Sequence, residues 1–140
     1  MSALTLIKRA QLFDPSPRGQ QDVLLAGGQI VAIDDELDSE ALNQLPIQVI
    51  DGSGKRLVPG FVDSLTHIIG GGGEGGFATR TPEMQLSDAI KGGVTTVVGA
   101  LGTDSIARTH SNLIAKVKGL KAEGLSAYAY TGSYQVPVRS

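Results

Sequence analysis

A chain of 140 residues, 41% of them hydrophobic, is long enough to bury roughly two-thirds of its unfolded surface in one globular domain. Twelve basic and fourteen acidic residues leave a net charge of −2, which is no electrostatic footprint for nucleic acid or an anionic membrane. The absence of cysteine excludes disulfides and thiolate metal sites. The stretch Met1–Arg9 lacks the layout of a secretory signal, and no apolar run approaches the roughly 20 residues that span a bilayer, so a cytoplasmic protein is expected.

Residues 4–13 are apolar and β-prone, and Asp14-Pro15-Ser16-Pro17 supplies a turn. Asp22–Ala26 and Gln29–Ile33 flank Gly27-Gly28, a dipeptide that permits positive φ at both turn positions and so predicts a tight hairpin. The acidic stretch Asp34–Pro46 reads as an exposed excursion, and Gln48–Asp51 as a strand that turns at Gly52-Ser53-Gly54-Lys55. Together these predict a small antiparallel β domain over residues 1–56.

After Arg56 the pattern changes. Leu57–His67 is an extended apolar strand candidate, followed by a cluster of glycines, Gly70–Gly76, interrupted by Glu74. Thr81 can cap a helix with Pro82 at its first position, and Glu83 suits the positive end of the helix dipole. Met84, Leu86, Ala89 and Ile90 give that helix its apolar surface, and Gly92-Gly93 stop it. Val94–Leu101 is rich in β-branched residues, as buried parallel strands are. A second helix is predicted from Thr103 or Asp104, with Ile106, Leu113, Ile114, Val117 and Leu120 as its stripe and Gly124 as terminator. Leu125–Tyr130 is a third strand. The order is βαβαβ, which right-handed crossovers make parallel. The fold class is therefore α/β: a small N-terminal β domain, then three parallel strands over 57–140. Open edges on the first and third strands favour aggregation or a partner, so poor folding in isolation is expected.

Few residues carry chemistry. His67 stands at a strand end, where ligands at i and i+2 would converge on one ion, but position 65 is leucine. His110 falls inside the second predicted helix, away from the strand ends. Catalytic zinc takes about three protein ligands, so tight binding by this chain alone is not expected. Gly70, Gly72 and Gly75 fit G-x-G-x-x-G, but so dense a cluster fits many patterns. Asp88, at the spacing of a ribose partner, falls within the first predicted helix, and no Gly-Lys-Ser/Thr follows. Nucleotide binding is set aside. Each remaining candidate also has an ordinary reading: Asp63 as a strand-end hydrogen-bond acceptor, Glu74 as a solvated loop residue, Thr103 as a helix cap and Tyr134 as an interfacial aromatic.

The run Pro59-Gly60-Phe61-Val62-Asp63 resembles the first barrel strand of the amidohydrolase superfamily, whose members normally end that strand in His-x-His. With His67–Glu74, Arg80-Thr81-Pro82-Glu83, Gly99–Ser105 and Thr131-Gly132-Ser133-Tyr134, the chain resembles isoaspartyl (β-aspartyl) dipeptidases from about Leu6 to Arg139. The resemblance implies the start of a (β/α)8 barrel, which takes about 250 residues when complete, after part of a composite β-sandwich domain. It further implies a site with two zinc ions in the complete enzyme. His67 would be a metal ligand and Asp63 would support its strand. Glu74 would bind the substrate's free α-amine, and Gly72 and Thr103 would line the dipeptide pocket. Tyr134 would polarise the scissile carbonyl. A carboxylated lysine, two histidines and an aspartate general base would come from later strands, outside this sequence. Leu65 in place of the first histidine departs from the pattern and puts the metal site in doubt. The implied function is hydrolysis of β-aspartyl dipeptides by the complete enzyme, with this stretch inactive alone. The alternative is a non-catalytic, degenerate fragment that pairs with a full-length relative through its open edges.

Overall fold

The computed structural model describes residues 4–42, 44–104 and 107–138, so Ile106 of the predicted helical stripe lies outside the described residues. The chain divides into two compact units, Met1–Pro59 and Gly60–Ser140.

The first unit contains β1 (Leu4–Asp14), β2 (Ser16–Ala26), β3 (Gln29–Asp34), a one-turn helix α1 (Ser39–Leu42), β4 (Ile47–Asp51) and β5 (Arg56–Leu57). The Gly27-Gly28 hairpin forms as predicted, with φ of 58° and 80°, and joins β2 to β3 with Ala26 opposite Gln29. The sheet is not purely antiparallel, however. β4 lies parallel to β1, from Leu4 opposite Ile47 to Lys8 opposite Asp51, and β5 is parallel to β1 as well. The polar excursion Asp34–Pro46 is long enough to return the chain to the start of β1, which a two-residue hairpin cannot do.

Asp22, only 1% exposed, holds this unit's irregular part together. Its carboxylate accepts from the amide of Arg9 (2.8 Å), which sits at a bulge in β1 with φ of 59°, and from the amide of Leu37 (3.0 Å). It also pairs with Lys8 Nζ at 3.2 Å. Burial alone would raise its pKa, but the Leu37 and Arg9 amides and the Lys8 ammonium outweigh burial and leave the carboxyl below its ordinary value.

The second unit contains β6 (Phe61–Thr66), α2 (Leu86–Lys91), β7 (Val94–Gly99), α3 (His110–Ala122) and β8 (Ser126–Ala129), in a parallel sheet of order β6-β7-β8. This is the expected βαβαβ. The expected strand Leu57–His67 is interrupted, because Leu57 closes β5 in the first sheet and β6 starts only at Phe61. Pro59 between them has no N–H to give to a ladder. Ile68, Ile69, Val97, Leu113, Leu120 and Ala127 form the core under the helices. Gly99 has no room for a side chain there, since a Cβ would lie 2.6 Å from Ile68 Cδ1 and 3.0 Å from Leu113 Cδ1.

Both helices start later than their sequence signals suggest. α2 begins after Gln85, whose amide donates to the Asp88 carboxylate at 2.8 Å. Thr81 is not a cap, because its hydroxyl bonds both the amide (2.7 Å) and the carbonyl (3.2 Å) of Gly71. Glu83 pairs with Lys116 across 3.4 Å instead of meeting a helix end. α3 is capped by Thr109, whose hydroxyl accepts from the Asn112 amide at 3.2 Å, so Thr103 is not a cap either. Gly124, with φ of 99°, follows the last turn as expected. Among the described residues, no helix is long and apolar enough to cross a membrane.

Candidate active site

Because β6, β7 and β8 are parallel, the loops that leave them open on one edge of the sheet. That edge is where strand-helix repeats of this kind carry their functional residues. His67 follows β6 and is exposed. Its Nδ1 lies 3.2 Å from the carbonyl oxygen of Ala100 at the end of β7. A carbonyl only accepts, so Nδ1 must carry the proton, and the lone pair of a neutral ring is then on Nε2. Metal-binding histidines are oriented in just this way, by donating their other N–H to a backbone carbonyl.

The second metal position is absent. Leu65 is 65% exposed and offers only carbon. Its amide donates to Asp63 Oδ1 at 3.1 Å, so the Asp63 carboxylate braces its own strand end, and the bond that orients His67 is to the Ala100 carbonyl. No group of three histidine, aspartate or glutamate side chains able to hold a metal exists among the described residues. The residues present therefore do not make up a zinc site; the chain offers one histidine in a suitable tautomer.

The glycine loop after His67 is pinned at its base. Gly71 and Thr81 bond through their main chains at 2.9 Å, and Gly72 bridges Arg80. Gly72 is required here: its φ is 73°, and a Cβ would fall 2.4 Å from the Thr79 carbonyl oxygen. Glu74 stands exposed beyond this base. The Thr103 hydroxyl, reaching in from the β7 loop, does most to hold the Glu74 carboxyl below the usual carboxylate range, followed by Glu74's own amide. Thr103 Oγ1 is itself buried without a partner at full hydrogen-bond geometry, so it stands beside the carboxylate and not in tight contact with it. Gly102 packs against both other parts of the site: a Cβ there would lie 3.7 Å from His67 Nδ1 and 3.7 Å from Gly71 Cα.

Tyr134, 70% exposed, follows β8 and borders a cavity of about 270 Å³ together with Gly102 and Asp104, the neighbours of Thr103. His110 lines the same cavity, which corrects its expected position away from the strand ends. Because α3 starts at His110, that residue sits at the helix end nearest the β7 loop. The fold thus groups Gly72, Glu74, Thr103 and His67, with Tyr134 across the neighbouring cavity. Sequence reasoning passed over Asp104 and Arg108, which are 9% and 5% exposed and lie between β7 and α3. Their only signal in the sequence is charge within a stretch whose pattern predicts helix.

No protein-family model matches the chain. A dihydroorotase of Elusimicrobium minutum is 34% identical over 110 residues, covering 77% of this chain and 24% of that protein. An N-acyl-D-aspartate deacylase of Alcaligenes xylosoxydans xylosoxydans is 36% identical over 95 residues, or 66% of this chain and 16% of the deacylase. Among solved structures, a β-aspartyl dipeptidase from Fervidobacterium islandicum AW-1, in complex with β-Asp-Leu, is 44% identical with a TM-score of 0.91, covering 100% of this chain and 36% of that one. Dihydropyrimidinase from Brevibacillus agri, at 24% identity and TM-score 0.62, shares the fold. The chain spans 24% of the length of that dihydroorotase and 36% of that dipeptidase. It belongs to the amidohydrolase superfamily beside the β-aspartyl dipeptidases, as a small β domain and the opening βαβαβ of a (β/α)8 fold.

Proposed function

We propose that this chain is part of a zinc-dependent hydrolase of β-aspartyl dipeptides and that it supplies the substrate-recognition side of the site. The observation that carries this is the exposed Glu74 carboxylate on the glycine loop at the strand ends, in a chain 44% identical over its whole length to a β-aspartyl dipeptidase in complex with β-Asp-Leu. An ionised carboxylate on a glycine loop suits the free α-ammonium of a dipeptide linked through its aspartate side chain. Gly72 leaves room for the substrate backbone, and Thr103 offers a hydroxyl with no other partner. Tyr134 would donate its phenol to the scissile carbonyl oxygen as negative charge builds there. Zinc bound in the complete enzyme would supply the hydrolytic chemistry, and His67 would be this chain's contribution to holding it. The 140 residues alone are inactive in this reading, and the setting is the reducing cytoplasm that a cysteine-free sequence allows.

The test is hydrolysis of β-Asp-Leu by the protein at its native length and by the 140-residue chain. Turnover is expected from the first if it is longer, and none from the second. Replacement Glu74→Gln should raise KM for β-Asp-Leu about tenfold or more, the scale of one lost ionic hydrogen bond. Measurable turnover by the isolated chain, or a native protein indifferent to β-Asp-Leu, sinks the reading.

A second reading is favoured by Leu65 and by the exposed apolar side chains of the β6 edge, Phe61 (63%) and Val62 (64%). In it the chain is non-catalytic and pairs with a full-length relative. Recovery of such a relative with the tagged chain would support this version, and its absence would count against it.

A further inference from the structure

We infer that Arg108 is the positioning residue of the glycine loop: its guanidinium fastens the two stems of that loop and so sets where Glu74 stands relative to Thr103. Arg108 is 5% exposed and lies just before α3. Its Nε donates to the carbonyl of Ile69 (3.0 Å), Nη1 to that of Gly71 (2.9 Å) and Nη2 to that of Thr81 (2.8 Å). Ile69 and Gly71 lie on the stem that enters the loop, and Thr81 on the stem that leaves it. Every donor-bearing nitrogen of the buried guanidinium thus serves the main chain of this one loop. Asp104 Oδ2, 4.0 Å from Nη1, balances the charge, and Arg80 Nε at 2.8 Å holds that carboxylate from the loop side.

Packing alone does not call for an arginine here. An apolar side chain would fill the volume but strip the Ile69 and Thr81 carbonyls of their guanidinium donors, at the cost of their desolvation, and leave the Gly71 carbonyl only its bonds from Thr81. Lysine keeps the charge and loses the planar fork that meets three acceptors at once. The loop is shaped to receive that fork, because Gly70 has a φ of 87° and a Cβ on it would lie 2.6 Å from Nη2. Between the two stems runs 72–80, the segment that carries Glu74. Arg108 touches neither substrate nor reacting atoms in this scheme. It acts through Glu74, and its meaning for dipeptide binding rests on the function proposed above.

Two measurements on the protein at its native length separate the possibilities. The first is β-Asp-Leu affinity by calorimetry in Arg108→Gln, Glu74→Gln and the double variant. Each single change should weaken binding about tenfold, and the double should be no weaker than Glu74→Gln alone. Additive losses would reduce Arg108 to a general stabiliser and overturn the inference. The second is amide hydrogen exchange, which needs no dipeptide and therefore survives failure of the function reading. The amides of Gly71 and Thr81 should be protected in the parent protein. In Arg108→Lys they should exchange at least about tenfold faster while Val97 and Leu113 keep their protection. Unchanged exchange in Arg108→Lys overturns the inference. So does loss of the whole fold in both variants, since the role would then not be specific to the loop.

Discussion

Asp51 illustrates how far a few hydrogen bonds move an exposed carboxylate. The hydroxyl and amide of Ser53, then the guanidinium of Arg9 at 3.1 Å, lower its pKa from the ordinary 3.8 to about 2. A depressed folded-state value means that its stabilising contribution is complete above the unfolded value near 3.8 and fades as pH falls through about 2. Asp51→Asn should therefore flatten the fall in stability across that acid window while changing its slope little near neutrality. Urea midpoints of parent and variant at several pH values check this, and parallel curves would refute it. Leu65 makes the opposite case, a residue whose side chain offers nothing where chemistry is expected. Leu65→His, two positions from a histidine already oriented by the Ala100 carbonyl, should raise the zinc content of the native-length protein. If zinc by elemental analysis does not rise, Leu65 is not the defect. His67, Glu74 and Tyr134 were legible as residue types next to strand ends. Arg108 was not, because its carbonyl partners lie 27 to 39 residues away and only the folded chain brings them together.

At the scale of elements, local signals were readable where the backbone itself decides. Gly27-Gly28 made its hairpin, and the β-branched run at 94–99 made β7. The failures share one cause, competition from partners distant in sequence. Thr81 had the right neighbours for a cap, but the glycine loop claimed its hydroxyl, and the helix started instead where Gln85 meets Asp88. Likewise Thr109, not Thr103, caps α3. The parallel return of β4 depends on pairing with a strand some forty residues earlier, beyond the reach of any local pattern. Packing between β7 and α3 yields a direct test. Gly99→Ala should destabilise the second unit by about 1–3 kcal/mol, since its methyl has no space beside Ile68 and Leu113. A denaturation midpoint equal to that of the parent would show that the core gives way.

At the scale of the molecule, the decisive feature is a three-stranded parallel sheet whose outer strands, among the described residues, each pair on one side only. Phe61, Val62 and Leu65 on β6 and Tyr128 on β8 are each more than half exposed. Apolar area left in water contributes nothing to folding and promotes contacts between copies. The isolated 140-residue chain should therefore associate in a concentration-dependent way and melt broadly. Sedimentation and calorimetry check this, and a monomer with one sharp transition would contradict it. The closed base of the glycine loop has a different consequence. Its stems are locked at Gly71 and Thr81, while the tip from Glu74 to Phe77 projects into solvent, Phe77 being 70% exposed. Residues can be added or removed at such a tip without shifting the strands beneath it. A change of length between Gly75 and Phe77 should therefore reshape the rim of this edge while the foundations stay unchanged.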